Sequence, residues 1–289
     1  MGYDYLKLCN DIKDLTNKYK SLDVFHIGKS VMGRSIYCIR VGMGKRKIFI
    51  GGAYHGLEYL TSLFLIRFID EYMFRIINKW WFAGFNTEDI FKDVTMFIVP
   101  MVNPDGVDIA TNGLDLLNIH HRNLIDTVGI HDFRHVWQAN ARGVDLNHNY
   151  DTNWKMTVPS PSPTKYGGEN PESECETQAI VNFIRKTDFD MLLAFHSQGK
   201  EIYYSFDGTN EKKAFLAAQK LADISGYTLI RPTGSDSYGG CKDWFIKEFG
   251  KLGFTIEIGK GKNPLPISMI DDVFLDNARI ILCASEIIS

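Results

Sequence analysis

The chain has 289 residues, 45% of them hydrophobic and 23% charged, with a net charge of −3. This is the composition of a soluble globular protein, and without a run of five like charges it excludes a nucleic-acid footprint or a polybasic membrane contact. A chain this long can bury a full core without disulfides. Its five cysteines, odd in number and without a C-x-x-C pair, read as free thiols of a reducing compartment.

Residues 1–20 mix charged and apolar side chains and show no apolar leader core, and no apolar stretch is long enough to span a membrane. The reading is cytoplasmic, with neither membrane nor nucleic acid as partner. Residues 35–41 and 47–51 predict strands, and 57–74 predicts a helix with apolar residues at helical spacing. Trp80-Trp81-Phe82 reads as core and helix-end packing. Residues 94–102 predict a strand closed by the turn signal Asn103-Pro104-Asp105-Gly106. The long segments 108–140 and 151–170 are expected to shape the rim of a cleft. Within them, His120, His121, His131 and His135 read as surface residues, and the Pro/Ser-rich stretch 158–164 as a surface loop.

Ser173 with Glu176 three residues later has the form of a capping box opening a helix to about residue 186. Strands over 190–195 and 201–205 follow, then a helix over 211–225, a strand over 253–258 and a terminal helix over 273–288. No repeat or linker divides the chain, so a single domain over 1–289 is expected. Strands alternating with helices imply an α/β sandwich with a parallel or mixed sheet. Functional residues of such sheets collect at the carboxyl ends of strands.

Four places carry chemistry. His55 and Glu58, in H-x-x-E after a glycine-rich strand end, lie about one helical turn apart and can reach one ion. A hydrolytic zinc site needs a third protein ligand and an open position for water. H-x-x-E alone is a common pattern, and His196, at the end of the apolar run 191–195, is the candidate third ligand. Alone, it would read as a hydrogen-bonded strand-end histidine. Asp145, where a short apolar run turns polar, suits either a turn or a carboxylate that accepts the other N–H of a zinc-bound histidine. Glu257 stands inside the apolar strand 253–258, where an unpaired carboxylate is costly, so it is paired, metal-linked or functional. Beside a zinc-bound water it can serve as general base.

These residues, in this order, resemble the zinc carboxypeptidase family typified by carboxypeptidase A. The resemblance spans nearly the whole chain. It runs through the opening element 26–36, H-x-x-E at His55 and Glu58, N-P-D-G at Asn103–Gly106, G-V-D-L-N at Gly143–Asn147, His196, and F-T-I-E at Phe254–Glu257. It implies an eight-stranded mixed sheet flanked by helices, one zinc ion per chain, and hydrolysis of an amide near a peptide's C-terminus. His55, Glu58 and His196 become the ligands, Asp145 the partner of His55, and Glu257 the base. Asn147 would bind the substrate's terminal carboxylate. Arg142 would polarise the scissile carbonyl, with Arg122 and Arg134 as competitors for that role.

Two departures bear on specificity. His148 stands where the family has an arginine for the terminal carboxylate, and a histidine is shorter and not bidentate. In 237–244 the pattern resembles the family's specificity-pocket segment, with Lys242 at the pocket base and Tyr238 as a shifted substitute for the pocket tyrosine. Lys242 at a pocket base favours an acidic side chain; a solvated lysine at a helix start is the alternative. G-V-D-L-N-H-N-Y, Y-G-G-x-x-P-E-S-E-x-E-T, F-H-S-Q-G-x-E-I-Y and F-T-I-E-I-G-K-G-K-N-P-L-P-I together look like a bacterial branch of γ-D-glutamyl-meso-diaminopimelate peptidases. The implied partner is a cell-wall muropeptide, and the expected setting is the cytoplasm. The alternatives within the fold are a general metallocarboxypeptidase and a zinc deacylase.

Overall fold

The computed structural model describes residues 2–115, 117–129, 132–231 and 238–289. Among them an eight-stranded mixed sheet forms the centre, in the order β1-β2-β4-β3-β5-β8-β6-β7. The strands are β1 (Asp23–Lys29), β2 (Ser35–Gly42), β3 (Arg46–Gly51), β4 (Val94–Val99), β5 (Met191–Ser197), β6 (Glu201–Tyr203), β7 (Thr228–Ile230) and β8 (Leu252–Ile258). The helices are α1 (Tyr5–Lys18), α2 (Tyr59–Asn78), α3 (Thr87–Asp93), α4 (Pro104–Asn112), α5 (Ile119–Val128), α6 (Cys175–Thr187), α7 (Glu211–Ser225), α8 (Cys241–Phe249) and α9 (Ile270–Ile288).

The central strands β4, β3, β5 and β8 run parallel; β2 joins β4 and β6 joins β8 antiparallel, and β1 pairs antiparallel with β2. Because side chains alternate along a strand, β3, β4 and β5 each feed two cores, while the apolar side chains of β8 join one. Ile48, Ile50, Met191, Leu193, Phe195, Phe254 and Ile256 pack under α2, α7 and α9. Phe49, Leu192 and Ala194 pack on the opposite face with Ile180 and Phe183 of α6 and Trp244 and Phe245 of α8. A third cluster, with Trp137 and Phe133, lies with α4 and α5.

The expected α/β sandwich and mixed eight-stranded sheet are present, with local corrections. The strand expected over 94–102 ends at Val99, before Pro100. Asn103–Gly106 begins α4 instead of forming a free turn: Asn103 caps the helix by accepting from Gly106 N, and Pro104 fills the first position, where no N–H is needed. The helix at 173 opens without its capping box: it starts at Cys175, and Ser173 Oγ instead accepts from Asn149 and donates to Glu174. Phe82 is core, but Trp80 and Trp81 are exposed. His121 is buried, its Nδ1 accepting from Asp115 N. His135 is exposed and pairs with Asp132. His131 and the side chain of His120 lie outside the described residues. The cysteines carry no disulfide. Among the described residues no helix is long and apolar enough to cross a membrane.

Candidate active site

The strand β3 ends at Gly51 and its backbone continues alongside β4, with Gly52 N donating to Val99 O and Asn103 N to Ala53 O. The chain then turns sharply through a 3-10 turn, Gly56–Glu58, with His55 as its N-cap. Gly56 is required there: a Cβ would stand 2.4 Å from Gly106 O. Asn103 secures the same corner, its amide donating to the carbonyls of Tyr54, Gln138 and Ala139. Thus N-P-D-G supports the H-x-x-E loop and opens α4 at once.

Glu58 is buried, with Oε1 2.8 Å from His55 Nδ1 and Oε2 2.9 Å from His196 Nδ1. His196 is the penultimate residue of β5, fully buried, and its ring stacks on Tyr54 at 5.0 Å and 18°. Ligand atoms of His55, Glu58 and His196 all lie within 4.8 Å of one another. Burial alone would raise the Glu58 carboxyl, yet the two histidines push it down to about 2. Burial opposes charge on His55 as well, but Glu58 and Asp145 hold it well above its usual range. Two imidazole nitrogens and an ionised carboxylate converging on one point are the donor set of a three-ligand zinc site. A cation could be held there by these three side chains.

Asp145 is fully buried and divides its oxygens. Oδ1 accepts from Asn147 N and lies 3.2 Å from His55 Nε2. Oδ2 accepts from Lys165 N and lies 3.1 Å from His148 Nδ1. Both imidazoles approach at ion-pair distance without meeting hydrogen-bond geometry. Against the cost of burial, His148 and then His55 hold Asp145 well below the usual carboxylate range. The carboxylate beside His55 therefore also holds His148.

Glu257 lies beside His196 in the parallel register of β5 and β8. On β8, Phe254, Ile256 and Ile258 are buried while Thr255 and Glu257 are partly exposed, so this face opens to the cleft. Burial, and then Glu58, push the Glu257 carboxyl well above its ordinary range. Such a carboxylate is a stronger proton acceptor than a solvated one.

The residues expected to bind substrate lie around a seam where 148–152 meets 239–241. Tyr150 N donates to Gly239 O, and Gly239 N to Thr152 O. Asn147 Oδ1 accepts from Cys241 N, leaving its amide nitrogen to donate to a ligand. Tyr238 Oη accepts from Lys155 Nζ at 3.3 Å, and that ammonium sits 4.5 Å from the ring centroid. Lys242 is buried and not solvated: Nζ donates to Ser205 O and pairs with Asp243. Arg142 is half-exposed, with Nε donating to Glu174 and Nη2 reaching Ser173 O. Arg122 and Arg134 are exposed. Ser237, at the start of the pocket segment, lies outside the described residues.

The profile of the zinc carboxypeptidase family matches residues 8–280. The chain belongs to the zinc carboxypeptidase family. It is therefore a metallopeptidase of a zinc-dependent family, and His55, Glu58 and His196 form a group that could hold the ion. The chain is 34% identical over 287 residues to γ-D-glutamyl-L-diamino acid endopeptidase 1 of Lysinibacillus sphaericus, covering 97% of this chain and 72% of that protein. It is 26% identical over 252 residues to carboxypeptidase B of Rattus norvegicus, covering 80% of this chain and 57% of that protein. The fold matches thrombin-activatable fibrinolysis inhibitor with a TM-score of 0.78 at 20% identity, over 100% of this chain and 74% of that one.

Sequence reasoning missed Tyr54, the stacking partner of His196, and Lys155 on Tyr238. Tyr54 stood next to His55 in an otherwise glycine-rich strand end, a signal that a large buried ring packs beside the ligand. Lys155 offered no signal, because its contact depends on how 151–170 folds back. Glu201 and Tyr203 were also missed, although their two-residue spacing in a short strand places both on one face.

Proposed function

We propose that the enzyme hydrolyses the amide between the γ-carboxyl of D-glutamate and meso-diaminopimelate in cell-wall muropeptides, using His55, Glu58 and His196 as zinc ligands and Glu257 as general base. The observation that carries the reading is the His55–Glu58–His196 donor set beside Glu257, combined with His148 in place of a carboxylate-gripping arginine. The 34% identity to a γ-D-glutamyl-L-diamino acid endopeptidase supports the substrate class. Five free cysteines suit a reducing compartment, and cytoplasmic action on muropeptide fragments is part of this proposal.

Zinc, when bound, supplies a Lewis acid that polarises the scissile carbonyl and acidifies a water. The chain's own groups perform the rest. Glu257 takes the proton of the attacking water on its carboxylate and returns it to the leaving amine nitrogen. Its position in the cleft and raised proton affinity suit both transfers. Asp145 fixes the ring of His55 so that Nδ1 faces Glu58. Asn147 donates to a substrate carboxylate, and His148 reads the same region as a single-point donor, which tolerates a substrate without the ordinary C-terminal geometry. Arg142, steadied by Glu174, supplies positive charge for the developing oxyanion. Tyr238 covers the substrate from the wall. Lys242, paired with Asp243, presents a buried dipole at the pocket base, where an ammonium N–H meets an acidic side-chain end.

Zinc-loaded enzyme incubated with L-alanyl-γ-D-glutamyl-meso-diaminopimelate is expected to release diaminopimelate, detected by mass spectrometry, and to leave hippuryl-arginine and hippuryl-lysine nearly untouched. Cleavage of the hippuryl substrates with an intact muropeptide would overturn the reading in favour of a general carboxypeptidase.

A further inference from the structure

The antiparallel register of β6 and β8 sets Glu201 directly opposite Glu257, and Tyr203 opposite Thr255. Residues paired in this way share one face of a sheet. Ile202 between them enters the core with Ile256, so Glu201 and Tyr203 face the cleft with the base. Two carboxylates placed opposite each other are destabilising on their own account. Among the described residues Glu201 has no lysine or arginine partner: Lys242 is engaged with Asp243 and Ser205 O, and Lys200 with Asp276.

Glu201 is nonetheless held in place. Its Oε2 accepts from Tyr203 Oη at 2.9 Å. Gly199 leaves room for it, since a Cβ there would stand 3.0 Å from the Glu201 Cδ. An anchored, partly exposed carboxylate in a cleft, facing another carboxylate and lacking a cation, is arranged for a positively charged ligand. Structural duty does not account for it, because a neutral glutamine or leucine would relieve the repulsion with Glu257.

We propose that Glu201 is a specificity-determining residue that binds a primary ammonium on the substrate residue flanking the scissile amide. Resting on the reading of a γ-D-glutamyl-diamino acid amide as substrate, this assigns Glu201 to the second amino group of the diamino acid. The glutamyl side of that substrate offers no ammonium next to the bond. A charge-assisted hydrogen bond from the ammonium to Glu201 also shields Glu201 from Glu257 when substrate is bound. The diamino acid is thereby distinguished from a neutral amino acid of equal length.

The test is a binding measurement, so it does not depend on turnover. Zinc-loaded Glu257→Gln protein, with Glu201 intact or as Glu201→Gln, is titrated by calorimetry with three dipeptides. These are γ-D-glutamyl-L-lysine and its analogues ending in 2-aminoheptanoate or 2-aminopimelate, which replace the ammonium by a methyl or a carboxylate. With Glu201 the lysine peptide is expected to bind about 10- to 100-fold tighter than the methyl analogue, and with Glu201→Gln the ratio should fall to about one. Glu201→Lys should turn the preference towards the aminopimelate peptide. Equal binding of the lysine and methyl peptides with Glu201 present, a ratio that survives Glu201→Gln, or no detectable binding of any of them would overturn the assignment. A muropeptide left uncut while the lysine preference holds would overturn only the proposed reaction.

Discussion

Around the carboxyl ends of β3 and β5, Glu58, His196 and Asp145 are buried and the polar side chains hold one another: Glu58 joins His55 and His196, and Asp145 lies between His55 and His148. The facing wall, formed by 148–155 and 238–242, is built differently. Its charges either face open solvent, as Lys155 does, or are neutralised locally, as Lys242 is by Asp243. The wall is joined by backbone hydrogen bonds between loops, not by sheet. Under the proposed assignment, the contrast teaches that reaction geometry is fixed by strands and mutual side-chain contacts, while recognition is left to elements that can be exchanged. It also predicts which substitutions are catastrophic and which merely redirect the enzyme.

The largest effect belongs to the proposed base. Glu257→Gln should lower kcat roughly a thousandfold while zinc content, measured by atomic absorption, stays at that of the parent. Activity within tenfold of the parent would move the base elsewhere and dissolve the distinction between the two regions. Next comes Asp145→Asn, which weakens the hold on His55. Metal affinity, read by competition with a chromophoric chelator, should fall about 10- to 100-fold. An unchanged affinity would show that His55 needs no carboxylate behind it.

A third effect falls on stability and concerns the buried carboxyl of Glu176, which Asn140 contacts. Glu176 is buried, accepts from Val31 N and Asn140 Nδ2, and has only neutral donors, unlike Asp145 with its two histidines. Burial raises its carboxyl from 4.5 to about 7. Below pH 4.5 folded and unfolded chains hold this proton alike. As pH rises towards 7 the unfolded chain releases it first, so the group's contribution to stability falls by about 3 kcal/mol across that window. Urea unfolding at fixed zinc should show Glu176→Gln gaining on the parent by that amount between pH 4.5 and 7.5. A constant difference would mean that Glu176 is ionised throughout.

Legibility followed the same division. The strands of the central sheet and α7 were readable because apolar runs and helical spacing carry their own signal, and His55, Glu58, His196, Asp145 and Glu257 stood at the ends of such runs or inside them. The structure gathers the first four into contact and lays Glu257 beside His196. What could not be read was whatever depends on a distant partner. Ser173 and Glu176 have the spacing of a capping box, but Asn149 and Val31 compete for their side chains and win. Lys242 could be solvated or buried on sequence alone, and Ser205 and Asp243 decide it. His121 looked like a surface histidine until Asp115 folded over it.

The register of His196 against Glu257 has a consequence for how such an enzyme can change. The gap between the backbones of the proposed ligand and the proposed base is the repeat distance of a hydrogen-bonded sheet, about 4.8 Å from one strand to the next. No loop insertion, helix shift or wall substitution alters that interval, since it is written in the main chain. Changes in loop length that spare the residues of the site therefore leave the spacing of these two backbone positions unchanged. The sheet acts as a ruler, and substrate range becomes a property that can drift while the chemistry stands still.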